Sequence, residues 1–141
     1  MTPDSILRDW FQKVWNEGDE NSITRLAHPE AVIHGLAADS GEPVKGTAQF
    51  VPFFRAMRSA IPDLHIHVER TISEGAYTTG HCVVTGHHTG AGLQVGATNS
   101  AVRFEGMATL RIANGQIVEA WNFFDFLTFY RQLGIVTLRG V

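Results

Sequence analysis

The stretch Arg111-Ile112-Ala113-Asn114-Gly115-Gln116-Ile117-Val118-Glu119-Ala120-Trp121-Asn122-Phe123-Phe124-Asp125 decides the fold. Two β-rich runs, Ala101 to Ala113 and Gln116 to Asp125, flank Asn114-Gly115, a dipeptide suited to a tight hairpin. The register admits two readings. With a three-residue loop Ala113-Asn114-Gly115 and Gly115 as a bulge, Ile112 pairs with Gln116. Met107, Thr109 and Arg111 then share a face with Ile117, Glu119, Trp121, Phe123 and Asp125, and Arg111 comes near enough to Glu119 to pair. With a two-residue turn, Ala108 and Leu110 take that face instead. We adopt the three-residue loop. Either way Trp121, Phe123 and Asp125 stay together, and we expect them to face a pocket. Val118, Ala120 and Phe124 then fall on the outer face, apolar enough to suggest self-association.

The preceding chain supplies helices and more strands. Thr2-Pro3-Asp4 starts a helix, with Thr2 as cap and Pro3 in the first turn. Ile6, Leu7, Trp10, Phe11, Val14 and Trp15 recur at helical spacing until Gly18 stops it. A short helix through Ile23, Leu26 and Ala27 closes at His28-Pro29. Ala31 to His34 reads as a strand and Gly35 to Gly46 as a loop. A helix from Thr47 to Ala60 carries Phe50, Phe53, Phe54 and Met57 in one stripe. Leu64 to Ile72 and Tyr77 to His88 are strands, Thr89 to Ser100 a Gly-rich loop, and Phe126 to Leu133 a last helix. The order predicts one α+β domain over 1–141, a curved antiparallel sheet covered by the N-terminal helices. Closing such a sheet with aromatic helices leaves a pocket. We expect Phe11, Trp15, Phe50, Phe54 and Met57 to line it with Trp121 and Phe123.

Asp125 is the first chemical candidate. A carboxyl lodged among Trp121, Phe123, Phe124 and Phe126 would lose solvation, and its pKa would rise into the range useful for proton transfer. The structural alternative is an Asp that ends a strand and caps the next helix. His34 and His88 each end a strand at the expected rim, where either could orient a carbonyl or simply bond to backbone. His65 and His67 alternate with apolar residues and belong to solvent. His87 and His88 are adjacent on a strand, point to opposite faces and cannot chelate one ion. With no H-E-x-x-H and no paired cysteines, no metal is expected.

Composition narrows the function class. The net charge of -3 shows no basic excess, which argues against nucleic acid or an anionic membrane as partner. One cysteine, Cys82, excludes an internal disulfide, and its place in an apolar strand suggests a packed thiol. No basic region precedes an apolar run at the N-terminus, so no secretory signal is read and a cytoplasmic protein is expected. A P-loop, a dinucleotide fingerprint and a nucleophile elbow are all absent from the sequence.

Several segments, in order, carry a resemblance: Val14-Trp15-Asn16-Glu17-Gly18-Asp19, His28-Pro29-Glu30 with His34, Ile61-Pro62-Asp63-Leu64, and Thr85-Gly86-His87-His88-Thr89-Gly90. The strongest block runs from Phe104 through Arg111 to Trp121, then Asp125 and Gln132-Leu133-Gly134. Together they resemble the SnoaL-like polyketide cyclases, or ester cyclases, of the NTF2-like superfamily. The resemblance implies a cone-shaped α+β barrel, often a homodimer through the outer sheet. It also implies cofactor-free aldol closure of a polyketide ester, with an Asp at the position of Asp125 as acid and base. The chain departs from the family at Gly92 to Ser100, where a proline-containing loop is usual. The expected function is therefore ring closure of a small apolar carbonyl substrate, with His88 or His34 donating to the developing oxyanion. The alternatives are a small-molecule binding protein without turnover, or an isomerase, dehydratase or hydrolase on the same scaffold.

Overall fold

Thr2 caps the first helix, its Oγ1 accepting the Ser5 N–H at 3.4 Å. Helix α1, Pro3–Asp9, runs on into a π-helical segment, Trp10–Asn16. Sequence spacing predicts one regular helix here, so the wider winding is a difference, and it has a use. A π turn sets residues five apart above one another, which brings Trp10 and Trp15 to one side with Phe11, all buried. Asn16 ends the segment with a paired amide: Nδ2 donates to the Ile66 carbonyl at 2.9 Å and Oδ1 accepts the Ile66 N–H at 2.6 Å. Arg58 Nη1 adds a second tie by donating to the Trp15 carbonyl at 3.0 Å.

The computed structural model describes residues 1–36, 41–93, 95–137 and 139. Residues 37–40 of the first expected loop and Gln94 of the second lie outside that set. The remaining elements are α2 (Asn21–Leu26), β1 (Ala27–His34), β2 (Val44–Lys45), α3 (Thr47–Ala60), β3 (His65–Glu74), β4 (Tyr77–His87), β5 (Ala101–Ala113), β6 (Gln116–Phe124) and α4 (Phe126–Gln132). Two differences from the sequence reading stand out. β1 begins at Ala27 rather than Ala31, and His28-Pro29 sit where its pairing with β6 is irregular. That is where a strand tolerates a proline, which has no N–H to give. β2 forms inside the expected loop and pairs with β1.

The six strands form one curved sheet in the order β2-β1-β6-β5-β4-β3, antiparallel except for the parallel pair β1 and β6. Helices α1 and α3 fill its concave side, where Ile6, Leu7, Phe11, Phe50 and Phe54 pack into one core with Val84, Phe104, Leu110 and Ala120. Among the described residues no helix is long and apolar enough to cross a membrane. Cys82 is buried within β4, and desolvation pushes its thiol up to about 12.

The hairpin corrects the adopted register. Asn114 and Gly115 both have positive φ, 50° and 74°, as a two-residue type I′ turn requires. Ala113 pairs with Gln116 and Ile112 with Ile117. The bulge comes later, at Val118, so that Arg111 faces Glu119, Thr109 faces Trp121 and Met107 faces Phe123. The expected grouping of those six residues is recovered, but on the convex side. Val102, Phe104, Ala108 and Leu110 of β5 and Ile117 and Ala120 of β6 are buried, while Phe123 is 76 % exposed. The physical reason is volume. The concave side already receives the large rings of the π-helical segment and α3, so the sheet offers it alanines and glycines at several positions and turns Trp121 and Phe123 outward. Ala120 and Phe124, expected outside, face inward, and Phe124 packs its ring over Gly106.

Candidate functional site

A cavity of about 60 Å³ lies between the helices and the concave sheet. That is room for a few waters, since one needs roughly 10–15 Å³ on the same measure. Trp10, Phe11 and Trp15 of the π-helical segment form one wall. Phe50, Phe53 and Met57 of α3 form the second, and Ile33, Ile66, Val84, Phe104, Leu110, Ala120 and Phe124 of the sheet form the floor. Leu36 and Phe126 stand beside it from the loop after β1 and the start of α4. Edge-to-face and tilted ring contacts hold the helix walls: Trp10 to Phe50 at 5.2 Å and Trp15 to Phe50 at 5.9 Å. Such pairs keep the rings in one geometry as well as burying area.

One polar side chain other than the indoles enters this lining among the described residues, and it is Asn122. Its Nδ2 donates to the His34 carbonyl at 3.0 Å. A carbonyl can only accept, so the amide's orientation is fixed, and Oδ1 and the second N–H are left for other partners. Gly35 makes this possible. It has φ +79°, and a Cβ there would fall on the Asn122 carbonyl oxygen, so only glycine lets β1 end this close to β6.

The sequence-derived candidates divide. Phe11, Trp15, Phe50 and Met57 line the cavity as expected. Phe54 is buried behind it, against Trp15 at 5.4 Å. Trp121 and Phe123 do not line it. Trp121 lies on the convex face, stacked on His34 with centroids 5.5 Å apart and planes 9° apart. His34 accordingly points outward too, its Nε2 2.8 Å from Glu119 Oε2. That contact, with help from Arg111, holds the Glu119 carboxyl below its usual range.

Asp125 is the main correction. Its side chain is exposed and caps α4: Oδ1 accepts the Thr128 N–H at 3.0 Å, and the Thr128 hydroxyl donates to Oδ2 at 2.6 Å. These two bonds favour the charged form and lower its pKa, the opposite of the rise expected in a dry hollow. Phe124 and Phe126 on either side reach the cavity, and alternation sends Asp125 the other way. His88, the residue after β4, is fully buried but lies beyond Val84, off the cavity lining. Asn122 is absent from the sequence candidates because it shares a face with Ala120 and Phe124, which their apolar character suggests are outer. The signal was present in β5, where Arg103, Glu105 and Arg111 alternate with Val102, Phe104 and Leu110.

A family model described as SnoaL-like polyketide cyclase matches residues 5–133. The chain belongs to the SnoaL-like polyketide cyclase family. Its fold is shared by IdmH of Streptomyces antibioticus, a candidate polyketide cyclase, at 26% identity and TM-score 0.83, over 95% of this chain and 99% of that one. A candidate SnoaL-like polyketide cyclase of Jannaschia sp. CCS1 aligns at 20% identity and TM-score 0.84, over 96% and 93% of the two chains. AclR of Streptomyces galilaeus, a candidate hydroxylase, aligns at 22% identity and TM-score 0.82, over 96% and 87%. Comparison with curated proteins gives no match. In this SnoaL-like chain the cone's interior is apolar almost throughout, and the one amide is held by backbone.

Proposed function

We propose that the protein takes a small, mostly apolar carbonyl compound into this cavity, which widens beyond its resting volume of about 60 Å³ to hold it, and promotes its ring closure without a cofactor. The observation that carries the reading is the cavity wall itself: aromatic and aliphatic on every side, with Asn122 as a fixed polar point. A flexible substrate confined between Trp10, Phe11 and Phe50 has few conformations left, and holding two reacting carbons together supplies much of a ring-closure rate. The α-proton between two carbonyls of the substrate is acidic enough to leave to water, and the enolate carbon attacks the second carbonyl. The spare Asn122 N–H steadies the charge that grows on its oxygen, and water returns a proton to the new alkoxide. The oxyanion contact expected of His88 or His34 thus passes to Asn122, while the proton transfer expected of Asp125 does not. Trp10 and Trp15 report binding directly. Titration with 1-phenylbutane-1,3-dione should quench their fluorescence, and a linear aromatic poly-β-keto ester should give a product with a new carbon–carbon bond by NMR. Absence of quenching with both compounds contradicts the reading.

A second reading, binding without turnover, is favoured by one specific observation. Among the described residues no carboxylate and no histidine lines the cavity. Quenching with no new product selects it.

The convex face supports self-association as part of the same proposal. Ile72, Tyr77, Met107 and Phe123 are exposed there at 69%, 47%, 44% and 76%, beside the half-buried Trp121. An apolar group of this size on one sheet face marks a contact surface. We place a homodimer on it.

A further inference from the structure

His88 Nε2 is the one buried side-chain nitrogen or oxygen among the described residues with no hydrogen-bond partner. The ring's other nitrogen shows where its proton sits. Nδ1 lies 3.3 Å from the Thr98 backbone nitrogen, whose N–H can only donate. Nδ1 is also 2.9 Å from Thr98 Oγ1, which itself accepts the Ser100 N–H at 3.3 Å and so has its own proton to give. Nδ1 is therefore an acceptor, and the imidazole proton resides on Nε2. A buried N–H with no acceptor is rare in a folded chain and calls for an explanation.

The ring is also held still. His88 N–H donates to the Ser100 carbonyl at 2.9 Å, Asn99 N–H to the His88 carbonyl at 2.8 Å, and Gly90 N–H to the Ala60 carbonyl at the end of α3 at 3.0 Å. A donor fixed in this way, away from water, has no reorganisation to undergo when an acceptor arrives. His88 continues the inward-facing series of β4, Cys82, Val84 and Gly86, and Val84 lines the cavity. The four residues from Val84 to His88 span about 13 Å along the strand. Gly86 between them has no side chain, and Ile61 Cγ2 occupies the place where its Cβ would be.

We propose that His88 Nε2–H is a second polar subsite of the interior, taking the carbonyl oxygen of an elongated apolar ligand that reaches it along Gly86 by displacing the Ile61 side chain. The proposal rests on the cavity-binding reading above and adds a ligand length and a second anchoring oxygen. Straight-chain methyl ketones from butanone to tridecan-2-one test it on the intact protein. Two signals are followed, Trp fluorescence for the cavity and the ¹⁵N shift of His88 Nε2 for the subsite. The free protein should show the Nε2–H tautomer. Short ketones should quench fluorescence without moving Nε2, and long ones should do both. His88→Phe should lower the affinity of the long ketones about tenfold, the effect of one hydrogen bond in a dry site, and leave the short ones unchanged. An Nδ1–H tautomer overturns the proposal. So does a bound water on Nε2 that no ketone displaces, or quenching by long ketones with Nε2 unmoved. The wild-type shifts decide the matter if the Phe variant does not fold. Failure of every ketone to quench would instead remove the cavity reading beneath it.

Discussion

Phe50→Ala probes the packing that shapes the cavity. The Phe50 ring is 2% exposed and meets Trp10, Trp15, Phe53 and Phe54. Removing a buried phenyl ring costs about 3–5 kcal/mol, part for lost transfer and part for the space left behind. For a chain of this length each kcal/mol moves Tm by roughly 2–6 °C, so Tm should fall by about 6–30 °C. The vacated space joins an existing apolar cavity and stays dry, so a ring-sized apolar ligand should enter it. Benzene at about a hundred times its Kd would restore about 2.7 kcal/mol. Thermal unfolding by circular dichroism with and without benzene measures both effects. A loss below about 1 kcal/mol, or no recovery with benzene, would refute the packing described for Phe50.

Three further outcomes follow from the same geometry. Gly35→Ala puts a Cβ on the Asn122 carbonyl oxygen at a positive φ, and should cost at least about 2 kcal/mol and weaken diketone binding; urea unfolding and fluorescence titration check it. If the proposed dimer forms on the convex face, Phe123→Glu should lower the wild-type mass to that of a monomer by light scattering with the far-ultraviolet spectrum unchanged; a monomeric wild type or an unaltered mass removes that contact. In acid, Asp63 is the group to watch: the His87 ring and backbone N–H hold its carboxyl below the usual 3.8. A carboxyl depressed in the folded state stabilises above its unfolded pKa, and the contribution is lost as pH falls through the folded value. Asp63→Asn should therefore flatten the decline in stability below about pH 4, and an unchanged acid limb by urea titration contradicts the assignment.

Much of the architecture was legible in the sequence because it rests on local signals. Thr2-Pro3, Gly18, the Phe50–Met57 stripe and Asn114-Gly115 each state a backbone requirement that nothing distant overrides. The π-helical winding at Trp10–Asn16 was not legible, because it answers to the sheet beneath it: Asn16 must reach the Ile66 backbone. The site was half legible. Phe11, Trp15, Phe50 and Met57 line the cavity because an amphipathic helix has one apolar side to bury, and Phe54, on the same stripe, packs behind them. The faces of β6 are the reverse of the sequence reading, since the strand is apolar on both and side-chain size alone does not tell them apart. Charge decides better than size. Arg111 and Glu119 share their face with Trp121, and two charges 3.4 Å apart at the surface mark that face as the wet one. Asp125 followed Trp121 outward, and the capping role that any Asp before a helix suggests was the one it took. Asn122 could not be found until the face was right. His88 Nε2 could not be found at all from sequence, because its significance lies in what Thr98 and Ser100 do to the other nitrogen.

If ligand binds against the inward row of β6, Asn122 touches it and Asp125 does not. The affinity of 1-phenylbutane-1,3-dione for Asn122→Leu and Asp125→Asn, read by Trp fluorescence, tests this most directly. Asn122→Leu should lose about tenfold in affinity, and Asp125→Asn should keep the wild-type value. Loss of binding in the Asp125 variant with Asn122→Leu unaffected would contradict this placement.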